Sequence, residues 1–197
     1  MDFLEKLKQD PNCLYIYNWG PYIYGLSIKP TQYLVITQNI PDRAIYVENG
    51  IAYVHYPIDK WFQKVLNGDI DCWECACMNK KFIVKEHVKL MMSTNPLSLR
   101  KYVDKMFQHI PSLASEDKLY YWEIIKACKF ANQIIDNHKI INFKEANKEH
   151  YLFEETSVPE ELYDSLIVKP YEELKKRTDD ILRRSKIEKV LQKKKNE

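Results

Sequence analysis

The feature that most constrains this chain is a change of hydrophobic period partway along it. Cys13–Trp19, Gln32–Thr37 and residues 51–56 are short runs rich in Tyr, Ile, Leu and Val, bounded by Asp10-Pro11, Gly20-Pro21 and Lys29-Pro30. β-branched and aromatic residues in runs of this length predict strands. Residues 59–67 then place Trp61, Val65 and Leu66 roughly on one face, which predicts a helix, ended by Asn67-Gly68 where glycine supplies a left-handed cap. From Val84 onward the text reads as helical. Residues 98–109 carry Leu99, Tyr102, Val103, Met106 and Phe107 at helix spacing, and residues 118–137 carry a broader apolar face. A helix is expected over 143–153, another begins at Pro159, and Pro170 opens the last, over 171–193. A first helix is expected over 3–8, while residues 72–77 fit either a strand or a buried helix. The reading is an α/β unit over residues 1–95 and a helical extension over 96–197 packed on it as one compact unit.

Composition narrows the function classes. The chain has 197 residues, enough to bury a core without disulfides or metal staples. A formal net charge of +2 is too small for a general nucleic-acid binder, though a local patch stays open. No apolar run approaches the length of a membrane span, and the first residues, Met1-Asp2-Phe3-Leu4-Glu5-Lys6, lack a signal-peptide pattern, so a cytoplasmic protein is expected. Only 4 Gly stand against 14 Tyr, with Lys, Ile and Asn abundant, a balance that suggests A/T-rich codons as in low-GC bacteria and their phages.

The motifs point in one direction. The chain runs Gly20-Pro21-Tyr22-Ile23-Tyr24-Gly25-Leu26 into a strand that begins at Gln32. Tyr56-Pro57-Ile58-Asp59-Lys60-Trp61 follows the third strand, then Gly68-Asp69-Ile70-Asp71-Cys72-Trp73-Glu74-Cys75. Asp117-Lys118-Leu119-Tyr120-Tyr121-Trp122-Glu123-Ile124-Ile125 opens the main helix of the second half. In order and spacing these segments resemble the minimal nucleotidyltransferases of the DNA-polymerase-β type, including a branch common in phage genomes. That family has a strand, a Gly-Ser turn, a Tyr-Gly step and Ser-Asp-x-Asp on the next strand. The resemblance implies a small mixed sheet of nucleotidyltransferase type followed by a helical half.

It also implies a site whose chemistry is gone. The family's reaction needs carboxylates that hold two divalent cations. The positions matching the paired aspartates are Gln32 and Leu34, and no acid stands in 51–54, where the third belongs. Pro21 replaces the serine of the turn and brings neither an N–H nor a hydroxyl. The helix positions matching the family's His and Arg hold Trp122 and Ile125, while Lys118 remains. The vestigial site is therefore Gly20, Pro21, Gly25, Gln32, Leu34, Lys118, Trp122 and Ile125, with no metal and no cofactor expected. The expected function is that of a non-catalytic, phage-encoded interaction protein binding a host macromolecule, with RNA polymerase or its sigma factor as the specific partner expected from size and composition. A divergent active enzyme using metal and nucleoside triphosphate, with Glu48, Asp59 or the Asp69-Asp71-Glu74 cluster as acids, is the alternative. A nucleic-acid-binding module built on the basic last helix (Lys175, Lys176, Arg177, Arg183, Arg184 and residues 193–195) is another. Cys72, Cys75 and Cys77, with His87 following, fit either a zinc site or core thiols, and the core reading is favoured because free cysteine is among the most buried residue types.

Overall fold

The computed structural model describes residues 2–87, 95–108, 119–145, 147–150 and 160–196. A five-stranded mixed sheet organises the first half: β1 (Cys13–Trp19), β2 (Gln32–Thr37), β3 (Ala44–Glu48), β4 (Ile51–Pro57) and β5 (Ile83–Glu86), in the order β3-β4-β2-β1-β5. β2 and β4 run parallel, and the remaining neighbours are antiparallel. Side chains alternate across the pleat. Tyr17, Trp19, Leu34, Ile36, Val54 and Tyr56 therefore fall on one face, while Ile16, Tyr33, Val35 and Tyr53 fall on the other.

The second face is covered by α1 (Phe3–Gln9), which lays Phe3, Leu4 and Leu7 on it. The first face carries the helices. After the short α2 (Pro21–Tyr24) come α3 (Ile58–Leu66), α4 (Ile70–Ala76), α5 (Pro96–Gln108), α6 (Leu119–Asn137), α7 (Asn147–His150), α8 (Glu160–Tyr163) and α9 (Lys169–Asn196). Trp61, Trp73, Tyr102, Phe130 and Leu174 from five of these helices join the sheet residues in a single buried cluster. The α/β part and the helical part thus share one core. Arg100 ties α5 to α9 by bonding Asp104 within its own helix and Asp179 across.

Several local expectations change on contact with the tertiary structure. Of the segment 72–77, residues 72–76 are helical and Cys77 caps the helix end; Asp69 caps the start of α4 by accepting the Cys72 N–H at 3.3 Å. Ile83–Glu86, within the stretch expected to begin the helical text, is an edge strand recruited by pairing with β1. β3 is likewise absent from the sequence reading, since its large side chains are exposed and little of its stability comes from burial. The start of the expected 143–153 helix is a turn, with α7 beginning only at Asn147; Gln133 Oε1 accepts the N–H groups of Ile141 and Asn142, each at 2.8 Å, and so holds the loop leading into that turn. Residues 151–153 lie outside the described residues. Pro170 is the second residue of α9, near the expected helix start, but α9 runs on without a break from the preceding helical turns, giving a helical segment from Glu160 to Asn196. The turn before Pro170, Asp164–Val168, widens to π geometry, the adjustment expected where a proline ring and a missing N–H interrupt the ladder.

Gly68 fixes how α3 and α4 approach α5. Its φ is +70°, and a Cβ there would stand 2.3 Å from the Tyr102 backbone nitrogen. Gly50 shares the positive φ (+75°) but has open space around it. Gly68→Ala should therefore lose several kcal/mol in urea denaturation, and Gly50→Ala only about 1 kcal/mol. Equal losses at the two positions would contradict the backbone contact.

Candidate functional site

β1 ends at Trp19, and Gly20 turns the chain with φ +71° before Pro21 starts α2. A Cβ at Gly20 would lie 2.6 Å from Gln32 Oε1, so the Gln32 amide packs directly on the glycine. Gly25 closes α2 in the left-handed region and lies under the Lys144 side chain, away from the cleft described next. Facing the turn is α6. A cleft of about 280 Å³ is lined on one side by Gly20, Pro21 and Gln32 and on the other by Trp122, Glu123 and Lys126, with Asp71 at its edge. A neighbouring cleft of about 390 Å³ shares Asp71 and Glu123 and adds Lys105 and Gln108.

Four of the sequence-predicted residues thus meet: Gly20, Pro21, Gln32 and Trp122. Leu34 and Ile125 do not reach the cleft; both are buried core residues. Lys118 lies outside the described residues. The strand register shows what the site face carries. Gln32 stands beside Ala52 and Leu34 beside Val54. Glu48, at the end of the edge strand, and Asp59, in the first turn of α3, are exposed and outside the cleft lining. Among the described residues no group of three His, Cys, Asp or Glu side chains is arranged to hold a metal ion.

Behind the cleft wall lies a contact that the sequence reading did not assemble, although Glu74 stands among its candidate acids. Lys126, only 2% exposed, reaches back into the protein. Its Nζ donates to Tyr24 Oη at 3.2 Å, pairs with Glu123, and stands 3.8 Å from Glu74, whose side chain is fully buried. The ammonium also sits over the rings of Tyr24 (4.6 Å) and Trp122 (5.3 Å). Glu74 accepts from Tyr24 Oη at 3.4 Å and from Tyr102 Oη at 3.2 Å. Burial pushes the Glu74 carboxyl up to about 8, outweighing the pull of Lys126. Burial draws Lys126 down, but Glu74 and Glu123 outweigh it and hold the lysine above its ordinary value. Burial thus favours the protonated form of Glu74, while the neighbouring carboxylates favour the ammonium of Lys126. The sequence marks each residue but not their pairing: an acid inside Cys72-Trp73-Glu74-Cys75, and a lysine inside Ile124-Ile125-Lys126-Ala127.

The other candidates separate. Asp69 is spent on the α4 cap and on Lys64, 2.8 Å away. Cys72, Cys75 and Cys77 are buried free thiols, and burial raises the pKa of each. His87 is exposed on the chain after β5. Of the basic residues on α9, Arg177 is bound to Asp136 and Asn132, and Arg183 lies 3.4 Å from Asp180. No protein-family model, curated protein or solved structure matches this chain.

The pKa of Glu74 makes a pH prediction whose sign is fixed. The folded protein holds this proton up to about 8, whereas the free carboxyl releases it near 4.5. Between those values the folded state binds more protons, so this contribution to stability falls as pH rises. The urea midpoint of the Glu74→Gln variant should lack that part of the decline, because Gln is uncharged throughout and still accepts from Tyr102. Parallel pH profiles for the variant and the parent would contradict the assignment.

Proposed function

We propose that this protein is a non-catalytic, nucleotidyltransferase-like interaction protein, encoded by a phage, that acts by binding a host macromolecule. The observation that carries the reading is the set of side chains around the Gly20 bend. Two-metal transfer requires carboxylates converging on two cations and donors for a triphosphate. The matching positions hold Gln32 and Leu34, with Ala52 and Val54 beside them on the parallel strand. Pro21 gives no backbone donor at the turn. The one buried cation in the cleft wall, Lys126, is already engaged by Glu123 and Tyr24. Asp71 adds negative charge at the rim, which opposes a polyanion.

Partner binding is supported at the sheet edge. Among the described residues β3 has a ladder partner on one side only, and Ile45, Tyr46 and Val47 are exposed along it. An exposed apolar edge of this kind offers both backbone hydrogen bonds and side-chain anchors to another chain. Host RNA polymerase or its sigma factor is the first partner to test, on the grounds of size and A/T-rich composition.

A second reading has one observation in its favour: Asp71 and Glu123 both line the cleft opposite Gly20. It makes the protein a divergent nucleotidyltransferase that has moved its acids. The two readings are distinguished by paired assays on the purified protein. The first predicts a stoichiometric complex on capture with host RNA polymerase or host lysate, weakened about tenfold or more by Val47→Lys. It also predicts no magnesium-dependent transfer from labelled nucleoside triphosphates. Transfer that disappears in Asp71→Asn, or failure to recover any stoichiometric partner, would overturn it.

A further inference from the structure

A third cleft, unrelated to the Gly20 bend, lies on the α1 side of the sheet. It has a volume of about 390 Å³, within the range of small-molecule sites. It opens at the carboxyl ends of the parallel strands β2 and β4, where α1 leaves the sheet. Open α/β sheets commonly receive ligands beyond the carboxyl ends of their parallel strands.

Two deep groups in this cleft make it more than a surface dent. Thr37, the last residue of β2, and His55, near the end of β4, both line it and are each only 5% exposed. Neither Thr37 Oγ1 nor His55 Nε2 has a hydrogen-bond partner among the described residues. Buried polar atoms are almost always bonded, so two orphans on residues that line one cleft, at diagonal positions of neighbouring strands, call for an explanation. Two aromatic side chains flank His55, Phe3 from α1 and Tyr46 from β3, with the Tyr46 ring 5.0 Å from the imidazole and at 82° to it. Asp10 and Asn39 stand among the other lining residues, and no lysine or arginine is present in the lining.

Each property selects against some ligands. The absence of a cation and the presence of Asp10 disfavour phosphates and carboxylates. The aromatic flank suits a flat ring. A hydroxyl and an imidazole at the floor can each donate or accept, which suits a ring carrying both kinds of group on its edge. Burial lowers the pKa of His55, which keeps the imidazole neutral and able to serve in that way. We propose that this cleft binds a nucleobase or nucleoside, with Thr37 and His55 reading the edge of the base. The cleft lies on the opposite face of the sheet from the Gly20 cleft and meets the exposed β3 edge at Tyr46.

The test uses the full chain, labelled with ¹⁵N-histidine, titrated with adenosine, guanosine, cytidine, uridine and adenosine monophosphate. At least one nucleoside should shift the His55 ring resonances saturably and raise the melting temperature. The monophosphate should bind several-fold more weakly than adenosine. Thr37→Val should weaken the bound nucleoside about tenfold, the loss of one hydrogen bond. The ligand-free variant should melt no lower than the parent, since the substitution removes an unpaired hydroxyl. If no nucleoside moves the His55 resonances at millimolar concentration in the parent protein, the proposal fails. It also fails if Thr37→Val leaves the affinity unchanged, or if the monophosphate binds more tightly than every nucleoside.

Discussion

The arrangement of this protein depends on the burial of Lys126. A lysine ammonium inside a protein is costly unless charge and hydrogen bonds answer it. Here the answer comes from four separate elements: Glu74 on α4, Tyr24 on α2, Tyr102 on α5 through Glu74, and Glu123 and Trp122 on α6 itself. These contacts fix the distance between the Gly20 turn and the main helix of the second half. Lys126 is held by Glu123 and by the faces of two aromatic rings, inside the polar network that joins the two halves.

The sheet separates two environments. On the helix-covered face, at the end where β1 finishes and β2 begins, Gly20, Gln32 and Trp122 surround a cleft with little free charge beyond Asp71. On the α1 face, at the opposite end of β2, Thr37 and His55 lie under aromatic rings. A seven-residue helix covers less of a sheet than the long helices on the other side do, which leaves that second cleft open to solvent beside α1. β3 lies at the margin between them and shows its apolar side chains outward.

Much of this was legible in the sequence, for physical reasons that differ by element. β1, β2 and β4 are buried on both faces or nearly so, and their β-branched and aromatic runs announce it. β3 and β5 are edge strands with exposed or half-exposed side chains; pairing makes them strands, and pairing partners are not written locally. The turn at Gly20-Pro21 and the strand start at Gln32 were readable because turn chemistry is local, and they do meet in space with Trp122. Leu34 and Ile125 also lay at the expected spacings, but a strand or helix position says little about whether a side chain ends in a cleft or in the core. The Lys126–Glu74 contact was beyond reach. Each residue alone reads as an odd charge in an apolar run, and only the packing of α4 against α6 makes them partners.

The claim that Lys126 and Glu74 hold this framework together is tested most directly by a double-mutant cycle in urea at about pH 9, above the Glu74 value of about 8. The cycle compares Lys126→Met, Glu74→Gln and the double variant. The account predicts a favourable coupling of at least about 1 kcal/mol, with the double variant losing much less than the two single losses combined. Losses that add to within about 0.5 kcal/mol would mean that the two side chains do not interact, and that something else sets the spacing of α2, α4 and α6.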